Sequence, residues 1–164
     1  MVMLDKLAEF GDAAAAAATA GTALVLPNQI DLGSTGLNFG NGEPIYFVCA
    51  VSTAIVAAGD GTLEVQLVSD DSASIATGIL GTSVTYHVRS PLITTANNST
   101  SNPAGKILYV GAVPYLAASG TAVGNAERYL GARLVAAAQN ISSGNVDCYL
   151  TTDPAIYKAY ANAI

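Results

Sequence analysis

Ile45–Val51 reads IYFVCAV and Thr62–Ser69 reads TLEVQLVS, with Gly59-Asp60-Gly61 between them. The first run is unbroken β-branched, aromatic and small apolar residues, the pattern of a strand buried on both faces. The second alternates, with Leu63, Val65 and Leu67 on one face and Glu64, Gln66 and Val68 on the other, the period of two of a half-buried strand. The glycine-flanked aspartate between them is a turn signal. Outward from this pair the pattern repeats. SVTYHV at 83–88 puts Val84, Tyr86 and Val88 on one face and His87 off it. Ile107–Val113 is strand-like up to Pro114, and NVDCYLT at 145–151 aligns Val146, Cys148 and Leu150. Leu24–Leu26 and Gln29–Leu32 are short apolar runs closed by Pro27 and Gly33. RYLGARLVAA at 128–137 has a helix-favouring composition, yet Tyr129, Gly131, Arg133 and Val135 alternate with Leu130, Ala132 and Leu134, which predicts a strand. Seven or eight short strands separated by turn signals predict an all-β chain, an antiparallel β-sandwich or jelly roll.

The two ends read differently. In MVMLDKLAEFGD at 1–12, Met3, Leu4, Leu7 and Phe10 share one helical face, with Asp5, Lys6 and Glu9 off it. Ala13–Ala18 favours helix by propensity but carries no large side chain to anchor one. This predicts an arm over residues 1–23, a jelly-roll domain over 24–154 and a tail over 155–164. In the tail, Tyr157 and Tyr160 can meet on one turn of helix. Thr94–Gly105, rich in Asn and Ser, reads as a long exposed loop.

Composition removes several function classes. The chain has 164 residues, 11% of them charged, against roughly 25% in ordinary soluble proteins. With 12 acidic and 6 basic residues the net charge is -6, so no basic face is expected to displace phosphate counterions, and nucleic acid is not an expected partner. A single histidine, His87, makes an imidazole-rich metal site or a Ser-His-Asp triad hard to build, and no G-x-S-x-G or phosphate-loop motif occurs. Asp70-Asp71, with Asp60, is a weak candidate for calcium, without EF-hand spacing. Arg128 and Arg133 read as surface charges that could meet a partner's carboxylates. The uncharged runs at 13–30 and 107–126 are interrupted by Pro, Gly, Asn and Thr and do not read as membrane spans, so no membrane partner is expected. The acidic start does not resemble a signal peptide, which makes Asn97, Asn98 and Asn140 chance sequon matches. Cys49 and Cys148 each sit in an apolar run and read as buried thiols, with a bridge open only if their strands are neighbours. No catalytic residue, cofactor or metal is expected.

The ordered set MLDKLAEF, IDLG at 30–33, GEPIYFVCAV at 42–51, TLEVQLVSDDS at 62–72, ERYLGARLV at 127–135 and GNVDCYLTTD at 144–153 resembles the jelly-roll cement, or decoration, proteins of tailed-bacteriophage capsids of the Bordetella-podovirus type. The resemblance implies a non-enzymatic protein on the outer surface of the virion. It would bind the assembled major capsid protein shell, bridge neighbouring capsomers and self-associate; the scarce charge and the edge strands of a sandwich predict a homodimer in preference to a trimer. Met3, Leu4, Leu7, Phe10, Tyr157 and Tyr160 are the expected partner-binding residues. The alternative is a carbohydrate- or receptor-binding module. Such sites need clustered aromatics, whereas Tyr46, Tyr86, Tyr109 and Tyr115 are spread along the chain.

Overall fold

The computed structural model describes residues 8–33, 44–79, 84–113, 117–118 and 125–154. Eight strands carry the architecture: β1 (Glu9–Ala15), β2 (Ala23–Asp31), β3 (Tyr46–Ala57), β4 (Gly61–Asp70), β5 (Thr85–Arg89), β7 (Ile107–Ala112), β10 (Tyr129–Ala137) and β11 (Ile141–Thr151). The three-residue β6 (Ile93–Thr95) also pairs with β4, and β8 (Ala117–Ala118) forms a small parallel pair with β9 (Asn125–Ala126).

One sheet runs β1-β11-β3-β7 and the other β2-β10-β4-β5. The first four strands therefore pair antiparallel, in turn, with β11, β10, β7 and β5. The chain is a long two-stranded ribbon, with its apex between β4 and β5, rolled into a sandwich. That is the jelly-roll arrangement, and it fits the expected all-β class. The turn at residues 58–60 and the link at 138–140 each carry the chain from one sheet to the other, so neither closes a hairpin within a sheet.

The core lies between the sheets. Leu63, Val65 and Leu67 of β4 and Leu130, Ala132 and Leu134 of β10 meet Phe47, Cys49 and Val51 of β3 and Val146, Cys148 and Leu150 of β11. The faces that alternation groups together, Leu63, Val65 and Leu67 on β4 and Val146, Cys148 and Leu150 on β11, point into this core, as does the Leu130, Ala132 and Leu134 face of β10. Pro27 does not end a strand. β2 continues through it, and Pro27 sits where the β10 register slips between Gly131 and Arg133, a bulge on an edge strand where a missing N–H is harmless. Gly144, in the left-handed half of backbone space, forms another irregularity; a Cβ there would lie 2.7 Å from the Ile55 Cα.

Two expectations need correction. The helical reading of 1–12 fails for its described end, and so does the reading of the alanine run as part of an arm. Glu9–Ala15 is a strand against β11, and Phe10 is 0% exposed, edge-on to Phe47 with ring centroids 5.9 Å apart. Phe10 is therefore a core residue and not a partner contact. Beyond it Ala14, Ala16 and Ala18 alternate inward, and Ala16 donates to the Gly144 carbonyl. Helix propensity is a weak preference, and pairing with a strand far along the chain overrides it. The arm boundary at residue 23 accordingly falls inside the sandwich.

The second correction concerns Thr94–Gly105, which is not simply an exposed loop. Thr95 and Asn102 are fully buried, Ile55 donates to the Asn102 carbonyl, and the Asn102 amide donates to the Thr94 carbonyl. Lys106 Nζ closes the segment by donating to Ser101 O and Asn102 Oδ1.

Candidate functional site

The outward face of the β2-β10-β4-β5 sheet should be wet by the alternation rule. Over β4 and β10 it is instead covered. Residues 71–79, leaving β4, fold back over it, and Ile75 presses onto Gly131, where a Cβ would lie 2.2 Å from Ile75 Cδ1. The missing side chain at Gly131 leaves the space that the tip of Ile75 occupies. Val68, Ile75 and Val84 form a small second core there.

Beside that core lies a buried polar network. Arg133 is 0% exposed and is the largest fully buried side chain among the described residues. Its Nη2 and Nε donate to Gln66 Oε1 at 2.7 and 3.2 Å, and Nη2 also reaches the Tyr86 hydroxyl at 3.1 Å. Nη1 donates to the Ala76 and Gly78 carbonyls at 2.7 and 3.3 Å. The five-donor fork of arginine suits this role, tying the returning segment to the sheet. Gln66 Nε2 in turn donates to Glu64, which holds Arg89 through two bonds of 2.6 and 2.9 Å. Glu64 keeps the Arg89 guanidinium charged beyond its ordinary range. Both guanidiniums lie 5.4 Å from the Tyr86 ring centroid, a cation–π arrangement. Arg133 is therefore no surface charge, contrary to expectation. Arg128 is one, exposed and doubly bonded to Asp31, whose carboxyl its guanidinium holds down at about 2.

A second cluster joins the ribbon apex to the start of β10. His87 Nε2 lies 2.8 Å from Ser69 Oγ, which accepts the Glu127 backbone N–H at 2.9 Å; Thr85 Oγ1 donates to Glu127 Oε1. His87 was expected off the sheet face. A register slip between Leu67 and Val68 re-aims β5, so Val88 turns inward, Tyr86 is 40% exposed, and the imidazole is partly buried. Burial pulls His87 down to about 4 and pushes the Glu127 carboxyl up. Ser69 is fully buried, so the Ser69–His87 contact offers no accessible nucleophile; it is a structural bond.

The other sequence candidates do not converge. Asp70 is spent on the Ser72 and Ala76 backbone N–H groups, and among the described residues no group of three or more His, Cys, Asp or Glu side chains could hold a metal ion. No helix among them is long and apolar enough to cross a membrane. Met3, Leu4, Leu7, Tyr157 and Tyr160 lie outside the described residues, as does Tyr115. Among the described residues the exposed large apolar side chains fall in two places: Ile107 and Val110 on β7 of one sheet, and Tyr86 with Leu92, at 68% exposure, along the β5 edge of the other. Nothing in the sequence pattern marked these four as exposed, because each lies in or beside a run that reads as an ordinary strand.

The fold and these features define a jelly-roll sandwich whose buried polar groups serve packing. The family model described as Bbp16 matches residues 10–150. The chain belongs to that family, one of Bordetella phage proteins, and is a phage-related protein. No curated protein matches the chain.

Proposed function

We propose that the protein is a capsid decoration, or cement, protein. It binds the outer surface of the assembled major capsid protein shell and stabilises it by bridging neighbouring capsomers, without enzymatic activity. The observation that carries this reading is family membership across the whole jelly roll, from the Phe10 strand to the end of β11. Two features support it. A bridging protein needs contact area in more than one place, and the exposed apolar residues lie on both sheets. It also needs a rigid body, which the rolled ribbon and the pinned segments at 71–79 and 94–106 supply. The edge strands and scarce surface charge suit self-association, and the protein is proposed to act as a symmetric oligomer, in preference a dimer.

Binding only to the assembled shell stabilises that state by mass action. Capsids lacking the protein should assemble normally but open at lower temperature, and adding purified protein should restore their resistance. Failure of heads to form without it would instead make it a shell subunit or scaffold. Retention on a glycan array with no effect on capsids would favour a receptor-binding module.

A further inference from the structure

The two cysteines, 99 positions apart, are register partners on the central strands β11 and β3. Both are fully buried and free, with their sulfur atoms 2.7 Å apart. Each is flanked on its own strand by core residues, Phe47 and Val51 around Cys49, Val146 and Leu150 around Cys148, so neither side chain has another direction to take. The geometry points to Cys49 and Cys148 as an oxidisable dithiol, closed by a low-molecular-weight disulfide into an intramolecular bond that staples β3 to β11.

The chemistry balances in two exchanges. One cysteine loses its proton, and its thiolate attacks the external disulfide, forming a mixed disulfide and expelling one small thiolate. The second cysteine then attacks the protein-side sulfur, forming the Cys49–Cys148 bond and expelling the other small thiolate. Two electrons pass to the external disulfide, and the two cysteine protons end on the two released thiols. Burial, and then the neighbouring sulfur, hold the Cys148 thiol well above its ordinary range, and both sulfurs lie out of reach of an external disulfide in the folded protein. Oxidation is therefore fast while the chain folds and slow afterwards, limited by opening of the sheet. The same burial protects the bond once made. Because the bond closes so long a loop, its effect on the unfolded chain is large. The proposal stands on the sandwich and does not depend on capsid binding.

The test is refolding of the full chain with oxidised or reduced glutathione, followed by denaturation, thiol alkylation and mass spectrometry. The oxidised sample should be lighter by two hydrogens, take up no alkylating agent and yield one peptide pair linked through 49 and 148. Its unfolding midpoint should lie on the order of 10 °C above that of the reduced sample. The C49A/C148A variant should show no difference between the two conditions; if it does not fold, the peptide map of the natural chain decides. Thiols that stay free, a retained glutathione adduct, a link between chains, or an oxidised midpoint at or below the reduced one would each overturn the proposal.

Discussion

β4 and β10 present two buried faces that are built in opposite ways. Toward the other sheet they show Leu63, Val65, Leu67, Leu130, Ala132 and Leu134, all apolar. Away from it they show Glu64, Gln66 and Arg133, equally inaccessible but polar and hydrogen-bonded to one another. The apolar face is held by area removed from water and tolerates similar shapes. The polar face is held by partners, and each group there is costly if its partner is lost. The apolar face makes the sandwich, and the polar face fixes the path of residues 71–79 above it.

The largest effect is expected on the apolar side. Leu134→Ala should cost about 2–5 kcal/mol in denaturant unfolding, through lost burial and the void it leaves. On the polar side, Arg133→Met should cost about 1–3 kcal/mol by stranding Gln66 Oε1 and the Ala76 and Gly78 carbonyls. The comparison predicts a sign for the double variant. Adding Gln66→Leu should recover part of the Arg133→Met loss, with a coupling of roughly 0.5–3 kcal/mol. Strict additivity would mean the network is not a unit.

Smaller effects follow from the titrating pair beside the network. Folding holds His87 neutral, lowering it from 6.5 to about 4. Between those values the unfolded chain binds more protons, so stability is fully present above pH 6.5 and is lost as pH falls toward 4. Glu127 acts in the opposite sense. Its raised carboxyl favours the protonated folded form and withdraws stability as pH rises above the ordinary 4.5. His87→Gln should flatten the acid limb of a stability–pH curve, and Glu127→Gln should steepen it. The smallest effect concerns Ala13, held at a φ of 46° by the Asp147 carboxylate, which accepts its N–H at 2.6 Å, and by the Asn145 amide, which donates to its carbonyl. Ala13→Gly removes the Cβ clash and should stabilise the fold by up to about 1 kcal/mol in thermal unfolding.

The same contrast explains what could be read from the residues in order. Alternation at 63–69 and 129–135 marks inward faces directly, because strand period is a local property. It also marks Glu64, Gln66 and Arg133 as outward, which they are; that they lie under a returning segment is a non-local fact. Phe10 and the alanines misread for the same reason, since their partner strand begins more than 120 positions later. His87 misread because one bulge reverses which side chains of β5 face in. The cysteine pair was visible as two apolar strands, but its alignment needed the strand order. Of the expected partner-binding residues, Phe10 is internal, and the other five lie outside the described residues.

The proposed role places this phage-family jelly roll on the outside of an assembled shell. Cryo-electron microscopy of phage particles made without the protein, before and after adding it back, tests this most directly. Intact heads are expected in both samples, with new sandwich-shaped density on the outer surface, spanning neighbouring capsomers, only after addition. Saturating protein that leaves the outer surface bare, or density confined to the tail, would contradict it.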